Sequence, residues 1–377
     1  MILILLILIL SCKEKTYPDW TTSISSVDDI FATFSSEIQI NGEVYIDDST
    51  QLMKPINLRI VNNILFINDN YNSELFSVYN MKTRKFVGRF LKQGKGPNEY
   101  LGGFSLSINP FIGDSLMVFN VINSTLNIFF LDNTCKSAGV PKRRIHLIPG
   151  KEREINERCF LFNNVLLTSG MFHQGRFHIY NLKGKDIGFF GKYPKVKCNG
   201  KYDNFHLGDK FGSSMNFVFD HNKNRVACTS SKSLTIYSYN KKNGLKISTH
   251  FDVQWDVPTF YSATYDKKSR ARVVTLGNES DMIGAGFVTA NKDYILFPFS
   301  NYPKIKIHKE GLEDWFGYIF VMDWDGNPIA RLKLDKRIKF PLEIDETGRY
   351  VYSIHTDLEE TGMRLIVRYD IGFLKDL

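Results

Sequence analysis

Apolar and polar residues alternate along most of the chain in short runs. Six of these runs end alike, in an apolar residue, then Asn or Asp, then a turn rich in Lys, Gly or Asn. The six pairs are Tyr79-Asn80, Leu131-Asp132, Tyr180-Asn181, Tyr239-Asn240, Met322-Asp323 and Tyr369-Asp370. Alternating runs predict β-strands, and an Asn or Asp at this place is typical of a turn in which its side chain bonds the backbone two residues on. The pattern therefore predicts six copies of one β-unit.

The distance between the copies predicts the architecture. Successive pairs are 52, 49, 59, 83 and 47 residues apart. These distances are near the period of four-stranded propeller blades and longer than ankyrin, tetratricopeptide or leucine-rich repeats. We therefore expect an all-β fold, a six-bladed β-propeller of four-stranded antiparallel blades. The length of 377 residues fits one domain, because propellers grow by adding blades around one axis.

Strand-like runs fill the blades in chain order. Those of blade one are 56–60, 64–68, 74–80 and 85–91, and those of blade four are 216–220, 225–230, 234–240 and 246–251. The last blade has only three such runs, 340–344, 349–354 and 364–370. We expect residues 37–46 to supply its fourth strand and close the ring, which would remove an exposed sheet edge.

Loop lengths predict which face of the ring carries a site. Connections between the first and second strands of a blade, and between its third and fourth strands, open on one face and are short throughout. The other connections open on the opposite face and include every long segment, namely 92–104, 192–214, about 252–283 and about 300–316. Long loops on a rigid scaffold favour a binding site there, the alternative being loop variation without function.

The N-terminus predicts export. Residues 2–10 form an apolar run too short for a bilayer, which needs roughly 20 residues, and typical of a signal peptide. The alternative is a hydrophobic N-terminal strand. Ile9-Leu10-Ser11-Cys12 resembles a bacterial lipobox, which implies acylation of Cys12. We expect a lipoprotein signal peptide at 1–11, a lipid-anchored tether at 12–34 and the propeller at 35–377.

One loop motif carries a family resemblance. Gly94-Lys95-Gly96-Pro97-Asn98-Glu99-Tyr100 is similar to the G-x-G-P-x-E-aromatic motif of TolB-like six-bladed propeller lipoproteins from Bacteroidota. With Cys12 and the six repeats, the resemblance covers residues 12–377. It implies an outer-membrane location and supplies no catalytic residues. Lys13-Glu14-Lys15 after Cys12 resembles the signal by which Bacteroidota-type lipoproteins are exported to the outer leaflet, which favours exposure at the cell surface. Two glycines and a proline favour a rigid turn that Glu99 locks by accepting backbone N–H bonds, with a ligand role for Glu99 as the alternative.

Motifs for catalysis and metal binding are missing from the sequence. It contains no HExxH, GxSxG or GxxxxGK[ST], and we expect no cofactor and no metal site. Asp323–Asn327 resembles the start of a calcium loop but favours a tight hairpin turn. His173, His206 and His355 fall on the long-loop face, where a convergent metal or acid–base trio is an alternative.

The cysteines after Cys12 lack the spacing of a metal site. They are Cys135, Cys159, Cys198 and Cys228. Cys228 falls within a predicted strand and is interpreted as a small buried apolar residue. The oxidation state of the four thiols is left open.

The best binding candidates combine aromatic and basic residues in the long insertions. The first set is Trp255, Tyr261, Tyr265, Arg270 and Arg272, and the second is Tyr302 and Trp315. Aromatic faces stack on sugar rings or on peptide side chains, and arginine pairs with carboxylates, so a glycan and an envelope protein both fit. The alternative is that these residues pack the loops onto the propeller.

The net charge and the predicted exported location limit the classes of partner that we expect. The net charge of +8 permits acidic partners, and nucleic acid is not expected at an exported location. We expect a lipid-anchored binding or scaffolding module of the cell envelope rather than an enzyme. The alternatives are a glycan lyase or hydrolase acting at the channel mouth, and a structural subunit with an apolar patch on its loops.

Overall fold

Six antiparallel sheets follow one another along the chain in the computed structural model and form a six-bladed β-propeller, as predicted. Strands A to D of each blade run from the central channel to the rim. The structure describes residues 27–47, 51–52, 55–69, 73–101, 106–131, 140–148, 154–193, 198–199, 207–208, 211, 216–220, 224–230, 233–240, 246–254, 261–266, 271–276, 282–303, 316–339, 341–356 and 364–377.

The first half of the chain contains blades one to three. A short helix, α1 (Val27–Thr33), and two strands, β1 (Glu37–Ile40) and β2 (Gly42–Ile46), come first. Blade one contains β3 (Pro55–Val61), β4 (Ile64–Asp69), β5 (Glu74–Asn80) and β6 (Lys85–Gln93), with β7 (Glu99–Tyr100) added to β6 in parallel. Blade two contains β8 (Leu106–Pro110), β9 (Ser115–Asn120), β10 (Thr125–Phe130) and β11 (Arg143–His146). Blade three contains β12 (Ile155–Phe162), β13 (Val165–Met171), β14 (Phe177–Asn181) and β15 (Asp186–Phe190).

Blades four to six follow, with one additional small sheet. The strand β16 (Cys198–Asn199) precedes blade four, which contains β17 (Asn216–Asp220), β18 (Arg225–Ser230), β19 (Ser233–Asn240) and β20 (Lys246–Gln254). A hairpin of β21 (Tyr261–Asp266) and β22 (Ala271–Leu276) joins β16 in the additional sheet. Blade five contains β23 (Met282–Ala285) and β24 (Thr289–Ala290) along its inner edge, then β25 (Tyr294–Pro303), β26 (Phe316–Asp323) and β27 (Pro328–Ile338). Blade six contains β28 (Leu342–Ile344), β29 (Tyr350–Thr356) and β30 (Arg364–Asp370), followed by a 3₁₀ helix (Gly372–Asp376).

Local turn chemistry explains the repeated sequence pattern. The side chain at the end of the third strand accepts backbone N–H bonds of 2.8 to 3.0 Å in four blades, at Asn80, Asn181, Asp323 and Asp370. The turns after Leu131 and Asn240 lie outside the described residues. At these four repeats the pattern marks the end of a third strand because an Asx turn forms there.

The short hairpins between the first and second strands also have a local cause. Asn62 and Asn63 have φ values of 50° and 60°, and Asn163 and Asn164 have values of 45° and 67°. Two successive residues with positive φ form the type I′ turn that fits the twist of a two-residue hairpin, and asparagine tolerates this conformation. These connections are short, but the connection from β10 to β11, residues 131–142, opens on the same face and is long, so the expectation of short loops throughout this face is wrong in blade two.

The N-terminal segment closes the ring, as predicted, but through two strands. β2 pairs antiparallel with β30 and completes blade six. β1 instead pairs in parallel with β27 of blade five. The break falls before Gly42, whose N–H donates to Asp335 Oδ1 at 2.8 Å. A Cβ at Gly42 would lie only 2.8 Å from the ring of Tyr369, so glycine permits this close approach.

One side chain of the closing strand joins the last blade to the first. The ring of Tyr45 is 5% exposed and lies 4.9 Å from the ring of Tyr352 in an edge-to-face arrangement. Its hydroxyl donates to the backbone carbonyl of Met81 in blade one. Glu43 accepts a hydrogen bond of 2.7 Å from Arg368 beside it. The strand is therefore fixed by side chains as well as by the sheet.

The hydrophobic core lies between the blades. Buried apolar residues form five clusters, and each cluster draws on neighbouring blades. The Phe90 and Phe129 rings of blades one and two are 5.3 Å apart. Because the core is a ring of such layers, every blade depends on both neighbours.

The helix α1 packs against blade five. The ring of Phe31 lies 5.1 Å from Tyr318 and 5.4 Å from Phe320, and Phe34 stacks on Phe320 at 4.7 Å. Residues 27–34 of the predicted tether therefore contact the propeller directly. No helix in the described part of the chain has the length and apolarity of a membrane-spanning segment.

Two cysteines are buried as thiols outside any disulfide. Cys159 and Cys228 are both 0% exposed, so the interpretation of Cys228 as a buried apolar residue is confirmed. Burial raises the pKa of the Cys159 thiol well above its ordinary value. Cys135 lies outside the described residues, and Cys198 belongs to β16.

Replacing Tyr45 with alanine tests how the ring is closed. We expect Tyr45→Ala to lower the free energy of unfolding by about 3 to 5 kcal/mol, because it removes a buried aromatic ring that contacts two blades. Val44 in the same strand is 39% exposed, and Val44→Ala should cost less than about 0.5 kcal/mol. Urea unfolding of both variants is the measurement. Equal midpoints for the two would show that Tyr45 does not secure the closing strand.

Candidate binding site on the long-loop face

Two kinds of connection open on the same face of the ring. One joins the second and third strands within a blade, and the other joins the fourth strand of a blade to the first strand of the next. We call this side the long-loop face. In its described part, the connection after β6 lies beside the turn between β9 and β10, and a pocket separates them.

The first wall of the pocket is the Gly94–Tyr100 loop. The N–H of Gly94 donates to the carbonyl of Tyr100 at 3.1 Å, and the N–H of Glu99 donates to the carbonyl of Gly96 at 3.1 Å. A Cβ at Gly94 would overlap the carboxylate of Glu99. Glycine therefore lets the carboxylate fold back beneath its own loop.

Glu99 locks this loop, as the motif predicted. Its Oε2 accepts the N–H of Gly96 at 2.9 Å, and its Oε1 lies 3.1 Å from the ammonium of Lys92. The backbone N–H of Gly96 and then the Lys92 ammonium lower the pKa of Glu99 below its ordinary value of 4.5. The carboxylate is engaged within its own loop, which supports the structural role over the ligand role.

The second wall comes from blade two. The guanidinium of Arg144 donates to Asn98 Oδ1 at 2.7 Å and to the carbonyl of Pro97 at 3.1 Å, which joins β11 to the loop of blade one. His146 Nδ1 lies 2.9 Å from Thr125 Oγ1. The bonds of Arg144 hold the two walls together, and the contact of His146 with Thr125 lies within the second wall.

Tyr100 lies at the edge of this pocket, and its hydroxyl is buried without a hydrogen-bond partner among the described residues. Its side chain is 4% exposed. Burial raises the pKa of the hydroxyl above its ordinary value of 10.0. A buried hydroxyl without a partner costs about 1 to 3 kcal/mol, so a polar group close to it would be stabilised.

The size and lining of the pocket suit a small polar ligand. Its volume is about 460 Å³, within the range of ligand sites. Lys95 and Arg144 supply positive charge, and Asn123, Thr125 and Asn127 supply amides and a hydroxyl. The lining also includes Leu101 and Ile122, which are 43% and 59% exposed. Such a pocket can hold a ligand that has hydroxyls, one apolar face and a negative charge.

The residues predicted from the insertions are only partly described. Trp255, Arg270 and Trp315 lie outside the described residues, as does Cys12. Tyr261 and Tyr265 belong to β21 and Arg272 to β22, where Tyr265 and Arg272 are register partners. The structure thus brings one predicted aromatic–basic pair together along the backbone.

Tyr302 is half-buried at the end of β25. The guanidinium of Arg337 lies 4.2 Å from the centre of its ring. An arginine stacked on an aromatic ring is a favourable contact within the protein, and it leaves Tyr302 only partly accessible to a ligand. Whether the two insertions form one surface stays a prediction.

Sequence reasoning missed the residues of blade two. Arg144, His146 and Asn123 are far from the motif in sequence and meet it only because blades one and two are neighbours. A weak signal was present, because Thr125 and Asn127 place polar side chains on alternate positions of an otherwise apolar strand. In a half-buried strand such positions share one face.

The residues that resembled a calcium loop form a hairpin turn and an ion pair instead. Asp323 Oδ1 accepts the N–H of Asp325 and of Asn327 at 2.8 Å each, and Asp325 pairs with Arg225 at 2.8 Å, so the predicted hairpin turn is confirmed. In the described part of the chain, no three His, Cys, Asp or Glu residues are placed to hold a metal ion.

The histidine trio is not assembled in what the structure describes. His355 Nδ1 lies 2.7 Å from the carbonyl of Arg337, and the backbone N–H of His173 donates to Glu154 at 2.9 Å. These two histidines belong to blades six and three, and His206 lies outside the described residues.

Comparison with protein families agrees with the repeat, the motif and the blade count. The family model described as "TolB-like 6-blade propeller-like" matches residues 33–347. The chain belongs to this family. None of the curated proteins compared with this TolB-like propeller is significantly similar to it. The lipid anchor and the bacterial lineage stay predictions.

Two of the solved structures that resemble the TolB-like propeller do so at low sequence identity. The β-propeller domain of Cps50 (Swd1) from Myceliophteria thermophila is 9% identical, with 86% of this chain and 99% of that one covered and a TM-score of 0.47. Regucalcin, a calcium-binding protein from Agrobacterium tumefaciens, is 12% identical, with 89% and 96% covered and a TM-score of 0.48. At this similarity neither structure informs the ligand of the TolB-like propeller.

The titration of Glu99 tests the loop lock. Because the folded-state pKa is lowered, the bonds of the carboxylate are complete above its ordinary pKa of 4.5 and are lost as the pH falls through the lower folded value. We expect the amide shift of Gly96, followed by NMR with ¹⁵N-glycine labelling, to titrate with a midpoint below 4.5. Glu99→Gln should abolish this titration. A wild-type midpoint at or above 4.5 would contradict the lock.

Proposed function

We propose that this TolB-like propeller is a lipid-anchored binding module of the bacterial cell envelope and that it holds an acidic glycan at its long-loop face. The pocket between blades one and two carries this proposal. It is the described place on that face where loops of two blades enclose a volume of ligand size.

The lining of the pocket favours a sugar. Sugar hydroxyls both donate and accept hydrogen bonds, and the amide of Asn123 offers both functions, whereas the hydroxyl of Thr125 and the amide nitrogen of Asn127 already bond within blade two. The exposed side chain of Ile122 offers an apolar contact for the C–H face of a sugar ring. A peptide held by strand addition would instead need a free sheet edge, and at the Lys92 end of blade one β7 already occupies that edge.

The charge of the pocket favours a carboxylated sugar. Lys95 and Arg144 are its two basic side chains, and Glu99 is its one acidic side chain. Glu99 is paired with Lys92, so its charge is largely compensated within the loop. A carboxylate of the ligand would meet uncompensated positive charge there.

The same contacts favour binding over catalysis. General acid–base chemistry needs two titratable groups that can reach the substrate. The carboxylate and the imidazole in the described lining belong to Glu99, held by Gly96 and Lys92, and to His146, in contact with Thr125. Both groups have structural partners, so the pocket suits capture of a glycan better than its cleavage.

The aromatic and basic residues of the insertions extend this proposal. Trp255, Tyr261, Tyr265, Arg270, Arg272, Tyr302 and Trp315 would add a second contact area for a long glycan or for an envelope protein. The order of the strands supports it, because the connections from β20 to β23 and from β25 to β26 both open on the long-loop face.

A charge-matched pair of variants tests the binding site. Lys95 lines the pocket, whereas Lys82 is exposed in the turn of the same blade on the opposite face. With oligogalacturonide as the probe in calorimetry, we expect Lys95→Gln to weaken binding by about tenfold, the effect of losing a hydrogen bond to a charged group. Lys82→Gln should leave the affinity unchanged, and a neutral galactose oligomer should not bind.

Two results would contradict the proposal. Equal weakening by Lys82→Gln would mean that net charge alone attracts the probe. Failure of the wild-type protein to bind any acidic oligosaccharide, together with capture of an envelope protein on the long-loop face, would assign the face to a protein partner.

The anchor is tested separately. If Cys12 carries the acyl chains, Cys12→Ala should move the protein from the detergent phase to the aqueous phase in phase partitioning, because two or three chains anchor firmly. Cys228→Ala serves as a control, since that thiol is buried within the fold. Unchanged partitioning of Cys12→Ala would contradict the assignment.

A further inference from the structure

A small cavity lies on the axis of the ring, separate from the pocket described above. Its wall is formed by blades one, two, three, five and six, mostly by their innermost strands. Its volume is about 30 Å³, which is room for about two water molecules. The two sites share no lining residue.

The charges around this cavity do not balance. Among the residues that the structure describes, Arg59 and Arg158 both line it, and Glu343 is its one acidic side chain. Glu343 is committed to Arg59, because Arg59 Nη1 donates to Glu343 Oε1 at 2.6 Å. Arg158 is therefore left without a carboxylate of its own in the cavity.

Arg158 is held by an aromatic ring alone. Its guanidinium lies 4.6 Å from the centre of the Phe287 ring, in the break between β23 and β24. It makes no hydrogen bond or ion pair with any residue that the structure describes. The Arg158 side chain is half-buried, and the cation–π contact leaves its N–H donors available to a further group.

Burial is the main influence on the pKa values of the charged groups around the cavity. Burial lowers the pKa of Arg158 to about 10, and the nearby charge of Arg59 acts in the same direction. Glu157 and Glu343 oppose this shift, but Glu157 does not line the cavity. Burial also raises the pKa of Glu343 despite both arginines.

Further donors at the cavity lack partners. Arg59 Nε and Ser107 Oγ are buried without a hydrogen-bond partner among the described residues, and both residues line the cavity. Each buried polar group without a partner costs about 1 to 3 kcal/mol. The unused groups around this space are thus mainly donors, and donors are satisfied by an anion.

We infer that this cavity binds one compact monovalent anion, a halide or the carboxylate of a very small acid, against Arg158, Arg59 and Ser107. The volume accepts one such ion and excludes a sugar. The bound anion neutralises the uncompensated guanidinium and joins the inner strands of three blades, so it stabilises the closed ring.

Thermal unfolding at constant ionic strength tests this inference. Sodium gluconate, whose anion is too large for the cavity, is replaced stepwise by sodium chloride or by sodium formate. We expect the melting temperature to rise and saturate with at least one of the two small anions, because binding to the folded state alone stabilises it by mass action. A response to chloride alone identifies a halide site, and a response to formate alone identifies a carboxylate site. A melting temperature that depends on neither anion would overturn the inference.

Variants at Arg158 separate anion binding from packing. Arg158→Met keeps the length of the side chain and removes its charge, and it should weaken anion affinity by about tenfold or more. It should also melt no lower than the wild type in gluconate, because the uncompensated charge is gone. Lys82→Met, at an exposed turn, should keep the full response. An undiminished response in Arg158→Met would overturn the inference.

A direct measurement remains decisive even where the variant fails to fold. Crystals of the wild-type protein soaked in sodium bromide should show an anomalous peak beside the Arg158 guanidinium if the site is a halide site, and crystals soaked in formate should show the carboxylate there if it is a carboxylate site. Absence of both from the cavity would overturn the inference.

Discussion

The pairing of β2 with β30 is the interaction on which the rest of the structure depends. Each blade is a thin sheet whose apolar faces are buried only against its neighbours, so six blades form a continuous core only as a closed ring. The N-terminal segment closes that ring in two steps, with β2 on blade six and β1 on blade five. The hydroxyl of Tyr45 then bonds to the backbone of Met81 and connects the closing strand to blade one.

A closed ring also decides where a ligand can bind. On one face most connections are tight Asx or asparagine turns, the long connection from β10 to β11 being the exception. On the other face, connections from adjacent blades are held side by side at distances fixed by the blade packing. The pocket between the Gly94–Tyr100 loop and blade two has this origin, because Arg144 of β11 bonds directly to the loop of blade one. Rigid walls lower the entropy lost on binding, which favours recognition of a flexible glycan.

Sequence reasoning succeeded where the cause is local. Asn80 and its counterparts mark blade ends because an Asx turn needs only its own neighbours, and Glu99 was identified as a lock because its partner is three residues away. The sequence did not predict that residues 37–46 would split between two blades. It also missed the pocket and the axial cavity, where Arg59 meets Glu343 across 284 positions. Such pairs depend on which blades become neighbours, and alternation of apolar residues carries no information about that.

For the aromatic and basic residues of the insertions too, the sequence alone did not reveal which side chains face a ligand. Tyr302 was selected for its chemistry, and the structure uses that chemistry internally, in a stack with Arg337. Lys95 was seen only as part of a turn, yet it lines a pocket. Whether a side chain serves the fold or a ligand is decided by its neighbours in space, which for these residues come from other strands.

Hydrogen exchange of the intact protein, with and without bound oligogalacturonide, tests the central claim most directly. The account predicts protection by the ligand in residues 94–101, 120–127 and 143–146 on the long-loop face, with added protection in 255–272 if the insertions contribute. The turns at 81–84, 182–185 and 324–327 on the opposite face should exchange at the same rate in both states. Protection confined to those opposite turns, or binding without protection of the pocket, would contradict the account.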